Sequence, residues 1–185
     1  MSSIDWGDNI KNISNNSFQS CSSLPLLSLQ DIVTGIGSEA FRSCTSLSGI
    51  SFGSGLQEIG REAFYGCTSL GSLNLPINIT TIGYGCFSVC SSLSGTVVLP
   101  DSLTSMGTGV FYNCTSLESV DFGNSLDEIN DYSFNACSSL TGFSIPSNIL
   151  NVGAASFQNC VSLVDIDISE GLESIENTAF YNCGF

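Results

Sequence analysis

Two kinds of side chain in this 185-residue sequence could do chemistry: nine cysteines and seventeen carboxylates, with no histidine beside them. Eight of the cysteines recur at a fixed interval, as Cys21, Cys44, Cys67, Cys90, Cys114, Cys137, Cys160 and Cys183, 23 residues apart with one step of 24. A zinc centre needs four thiolate or imidazole ligands converging on a tetrahedron. Evenly spaced thiols with no C-x-x-C pair are instead spread along an axis. A disulfide needs sulfurs aimed at each other, which the parallel Cβ vectors of a ladder do not provide. The expectation is a row of free, buried thiols acting as small hydrophobes with a weak S–H donor that helps satisfy backbone carbonyls. Cys86 falls outside the series, in a slot held elsewhere by Ala40, Ala63 and Ala179, and reads as an inert packing thiol.

Among the carboxylates the best pair is Asp165-x-Asp167, followed by Glu170. On a strand both aspartates would face outward, and Asp121 falls in the same column as Asp167. Hard oxygen ligands suit calcium, so Asp121, Asp165 and Asp167 are weak metal candidates. No calcium-binding loop surrounds them, and a solvated acidic face is the plainer reading. No cofactor is expected. A glycosidase would need its paired carboxylates in a cleft, whereas a strand face is open. The absence of histidine removes the commonest general base and the usual partner of a serine or cysteine nucleophile, so an enzyme is not expected.

The elements that position these residues are repeats. The pattern F-x-x-C-[STV]-S-L occurs seven times, led by Phe18, Phe41, Phe64, Phe87, Phe111, Phe134 and Phe157, and an eighth unit begins at Phe180. A constant period of this length means one supersecondary unit stacked into a solenoid. Within the unit from Ile59 to Ile82, the apolar residues Ala63, Phe64, Cys67 and Leu70 predict a short helical turn with one buried face. Leu73 and Leu75 alternate with Ser72 and Asn74, the period of a strand with one face buried, and Pro76 ends it. The fold class expected is an α/β repeat: a leucine-rich-repeat solenoid of about eight 23-residue coils, with a parallel β-sheet on one face and short helical turns on the other. One extra residue near Thr96 reads either as a strand bulge or as drift in the repeat, with drift favoured.

Residues 1–185 form a single domain on this reading. Neither end shows the polar capping repeat that closes a solenoid, so the expectation is a segment of a longer protein, or open ends that pair with something, end-to-end self-association included. Three basic residues, Lys11, Arg42 and Arg61, stand against seventeen acidic ones, for a net charge of −14. Phosphate binding rests on Lys and Arg, so nucleic acid and anionic membrane are poor partners for this surface, and no direct membrane insertion is expected. No apolar run approaches the roughly 20 residues that span a bilayer, and no signal peptide is visible at Met1–Trp6.

The quoted pattern, extended to I-G-x-x-[AVCS]-F-x-x-C-x-S-L-x-x-I-x-[LFI]-[PG], resembles the BspA-like leucine-rich repeats, also called the Treponema pallidum type, over essentially the whole chain. The resemblance implies a protein on the cell surface or secreted, adhesion to host matrix proteins or other cells, and no catalysis. Ligand choice would lie on the outward strand positions. The candidates are Asp5, Ser28, Ser51, Asn74, Asp121, Ser144 and Asp167 in one column, and Ser72, Ser119 and Asp165 in the other. The partner expected is a protein or glycoprotein. These columns lack the Tyr, Trp and Arg that interface hot spots favour, so their contacts would gain strength from multivalency. The tyrosines Tyr65, Tyr84, Tyr112, Tyr132 and Tyr181 fall near the turns of the other side. A structural spacer with no specific ligand is the rival reading.

Overall fold

A computed structural model describes Ile4 and residues 6–185. Most coils contribute two strands and a run of turns, and strands and turns pair with their counterparts in neighbouring coils. The short-strand ladder consists of β1 (Asn12–Ile13), β3 (Gly35–Ile36), β5 (Glu58–Ile59), β6 (Thr81–Ile82) and β8 (Ser105–Met106), then β10 (Glu128–Ile129), β12 (Asn151–Val152) and β14 (Ser174–Ile175). The other side carries three separate parallel pairs, β2 (Leu26–Ser28) with β4 (Gly49–Ser51), β7 (Gly95–Val98) with β9 (Leu117–Asp121), and β11 (Gly142–Ile145) with β13 (Asp165–Ile168), while residues 70–76 run alongside without forming a strand. All pairing is parallel. The short-strand ladder is interrupted between β8 and β10. The turn row bridges the break, with the Gly109 and Phe111 amides each 2.9 Å from the carbonyls of Asp131 and Ser133.

Two expectations are corrected here. The stack makes about seven turns rather than eight coils, and no helix occurs among the described residues. The segment around each core phenylalanine is a run of turns, for a reason visible at Phe41. The amides of Ala40, Arg42 and Cys44 donate three residues back, to Gly37, Glu39 and Phe41. The amides of Glu39, Phe41 and Ser43 donate instead to Arg61, Ala63 and Tyr65 of the next coil, each at 2.8 Å. Glu39 and Ser43 make this possible by adopting φ of 55° and 58°. Left-handed residues two before and two after the phenylalanine recur through the stack, as at Asn16 and Ser20, or Ala155 and Asn159. A left-handed residue every fourth position breaks an α-helix and turns half of its amides outward to the neighbouring coil. The Phe–Cys–Leu spacing of three and three is that of successive turns, short of the 3.6 of a helix.

The extra residue near Thr96 falls at an irregularity of the strand pairing. The register between β7 and β9 shifts at Gly95/Thr96, and Gly95 sits at φ 73°, a conformation glycine adopts without strain. Coils elsewhere approach closely enough to require glycine for another reason: a Cβ on Gly83 would lie 2.6 Å from the Arg61 amide nitrogen.

The core lies between the three sides. Phe18, Phe41, Phe64, Phe87, Phe111, Phe134, Phe157 and Phe180 stack ring on ring at 5.2–5.7 Å, with planes within 12° of parallel. The widest step, 5.7 Å, is between Phe87 and Phe111, across the lengthened coil. Such offset pairs add about 0.5–1.5 kcal/mol each beyond their area burial.

Candidate functional site

The cysteine series lies beside this aromatic stack, as expected. From Cys44 onward, each thiol of the series donates to the carbonyl of the phenylalanine one coil back, for example Cys67 to Phe41 at 3.3 Å and Cys114 to Phe87 at 3.1 Å. The same carbonyl already accepts from the cysteine amide of its own coil, so both of its lone pairs are used. All nine cysteines are free; Cys21 is exposed and Cys183 half-buried. Burial raises the thiol of Cys44 to about 11, and those of Cys67, Cys114 and Cys160 to about 12. Cys86, Cys90 and Cys137 are raised well above the ordinary value for the same reason. A thiol held protonated is neither nucleophile nor metal ligand.

On the strand face the alternation read from the sequence is realised. Leu27, Leu73, Val97, Val120 and Phe143 are buried. Ser28, Ser51, Ser72, Asn74, Asp121, Ser144, Asp165 and Asp167 are exposed, and Ser119 is intermediate. Register aligns Ser28 with Ser51, Val98 with Asp121, and Ser144 with Asp167. Asp5 lies outside the described residues. Ser144 stands in the coil between Asp121 and Asp167, so the three weak metal candidates do not close on one point. Among the described residues no group of three or more His, Cys, Asp or Glu is gathered that could hold a metal ion. The face is a strip of small and acidic side chains, interrupted by exposed Leu26 and Val98.

Sequence reasoning missed a second site, on the turn side. Glu62 is buried at 8% exposure and sits at φ 51°. Its carboxylate accepts from Arg61 at 2.9 Å and pairs with Arg42. Arg42 lies over the Tyr65 ring at 4.3 Å, and Arg61 over the Tyr84 ring at 4.9 Å. Each of these pairs is 23 residues apart, in the same slot of adjacent coils. That recurrence was the available signal, but it becomes a contact only once coils are known to stack in register. Beyond Tyr65 and Tyr84 the side chains shrink to Gly85, Ser88, Thr108 and Gly109, leaving a hollow of about 270 Å³ walled by Tyr65, Tyr84, Tyr112 and Tyr132.

The pattern of the family described as "BspA type Leucine rich repeat region" matches residues 1–97 and 57–185, in six copies. Among solved structures, the chain is similar to a leucine-rich repeat protein of T. pallidum. The two are 32% identical with a TM-score of 0.78, over 86% of this chain and 74% of that one. It is also similar to a leucine-rich repeat protein of Bacteroides ovatus, at 26% identity and a TM-score of 0.91, covering 99% of this chain and 49% of the other; the chain thus spans about half of that relative. The pneumococcal vaccine antigen PcpA shares the fold, at 19% identity and a TM-score of 0.59. No curated protein matches the chain. A stack of about 23 residues per turn with a repeated phenylalanine–cysteine–leucine core, matched end to end by that pattern, places this chain in the BspA-type leucine-rich repeat family.

Proposed function

We propose that the chain is a recognition module of the cell surface or of a secreted protein, binding a protein or glycoprotein, host matrix included, through the solenoid surface. No catalytic step belongs to this reading. The observation that carries it is the outward strip on the stacked coils, where Ser28 pairs with Ser51, Val98 with Asp121 and Ser144 with Asp167, with exposed Ser72, Asn74 and Asp165 and half-buried Ser119 beside them. Small side chains make weak individual contacts, and an array already ordered by stacking lets many of them act together at a lower ordering cost. Membership of a repeat family whose members present such surfaces supports the reading.

A second reading, a spacer or self-assembling stalk, has its own observation. Val164, Ile168, Ile175 and Phe185 expose 45–66% of their surface around one apolar hollow in the last coil, and a further coil or a second copy would bury them. The test is capture of immobilised matrix glycoproteins and mucins by the folded chain, with Asp121→Asn/Asp165→Asn/Asp167→Asn as the matched variant. Saturable capture weakened in the variant supports the strand face. Absence of any capture, with both proteins folded, favours the spacer.

A further inference from the structure

The turn-side hollow points to a more definite chemistry than the strand face. We infer that it is an aromatic cage for a cationic side chain, arginine or lysine, carried by a basic segment of a partner protein. The molecule supplies its own template. In two successive coils an arginine stacks on the tyrosine that holds its slot one coil later: Arg42 on Tyr65, then Arg61 on Tyr84. Both guanidinium groups are matched by Glu62 and Glu39, so that corner is electrically balanced. After Arg61 the sequence contains no further positive charge, yet the tyrosines continue. Tyr112 follows Ser88 in the slot of Arg42 and Tyr65, and Tyr132 follows Gly109 two residues before the core phenylalanine.

With Glu62, Gly85, Ser88, Thr108 and Gly109 between them, the four tyrosines wall an open space of about 270 Å³. Tyr84, Tyr112 and Tyr132 are 41–50% exposed, so it can be reached from solvent. The negative faces of aromatic rings attract a cation placed over them, most strongly when water is excluded. An apolar peptide would gain from the rings but not from the carboxylates that adjoin them. Thr108 also lines the neighbouring hollow, of about 310 Å³, whose walls include Glu128, Asp131 and Glu176. A segment that placed one cation among the tyrosines would bring its next positive charges onto these three carboxylates. The net charge of −14 would steer such a segment toward the chain.

The proposal stands apart from the strand face, on which none of these residues lies. It is tested by titrating the folded chain at physiological salt with a capped hexa-arginine peptide and with the neutral hexa-citrulline peptide. Saturable binding of the first alone is expected. Tyr112→Leu/Tyr132→Leu keeps the apolar bulk and removes the rings, and weakens binding about tenfold. Tyr112→Phe/Tyr132→Phe stays within about twofold of wild type, and Tyr181→Leu, away from the cage, leaves affinity unchanged. Failure to bind hexa-arginine, equal binding of hexa-citrulline, or a leucine variant that binds like wild type would each overturn the cage, the last by showing diffuse charge attraction alone. None of these outcomes bears on the capture experiment with the strand-face aspartates, so the two proposals fail separately.

Discussion

Cys114 illustrates what one residue does in this stack. Its side chain fills a fully buried slot, its thiol closes the second lone pair of the Phe87 carbonyl, and its own amide closes the first of Phe111. The cost is a dependence on pH. Buried thiols raised from the ordinary 9.0 to about 11 or 12 keep their protons in the folded state, while in the unfolded chain they lose them. The folded state then binds more protons, so stability is complete below pH 9 and falls as pH rises through 9 toward 12. Each such thiol contributes a slope of about 1.4 kcal/mol per pH unit. Thermal unfolding should therefore show a steep fall in midpoint above pH 9, made shallower in Cys114→Ala; a flat profile between pH 9 and 11 would contradict this origin. Ser156 is the opposite case. Its hydroxyl is buried without a partner, while Ser133 in the same slot one coil earlier donates to Asn130 at 2.7 Å. Ser156→Ala restores the residue found at Ala40, Ala63 and Ala179, and is expected to stabilise the chain by about 1 kcal/mol in denaturant unfolding.

At the scale of the element, strand and turn were not equally legible. Leu73 and Leu75 alternating with Ser72 and Asn74 read as one buried and one open face of a strand; the two sides are buried and open in that order, with Leu75 half-buried, but residues 70–76 pair with no neighbour as a strand. Phe64, Cys67 and Leu70 were read as helical because they share one side, although a spacing of three also fits tandem turns. What decides between them is backbone handedness, which side-chain hydrophobicity does not encode. The slot two residues after the phenylalanine holds Asn113, Asn159 and Asn182, residues that tolerate the left-handed region, but also Val89 at φ 62°. A β-branched residue there is strained. Val89→Asn should accordingly raise stability by about 1 kcal/mol, measured by chemical unfolding; a loss would mean that the valine side chain packs to greater effect than its backbone strains.

At the scale of the whole molecule, the solenoid was legible because its period is stamped on the core: from Phe41 to Leu163 the Phe, Cys and Leu of every coil are buried, where packing admits little variation. Surface chemistry was legible only where it shares that period. The aspartate and serine columns could be read off a strand alternation, whereas Arg42 over Tyr65 and Arg61 over Tyr84 depend on stacking register that only the fold supplies. The stack carries the two faces proposed above for recognition, an acidic strand strip and a tyrosine row, on either side of its aromatic and thiol core. The central claim is that a partner docks on the strand strip. It is tested most directly by hydroxyl-radical footprinting of the chain bound to the matrix glycoprotein it captures. Leu26 and Val98, 54% and 53% exposed on that face, are the reporters. The account predicts that Val98, in register with Asp121, loses reactivity on binding. Unchanged reactivity at both Leu26 and Val98 in the saturated complex would contradict it.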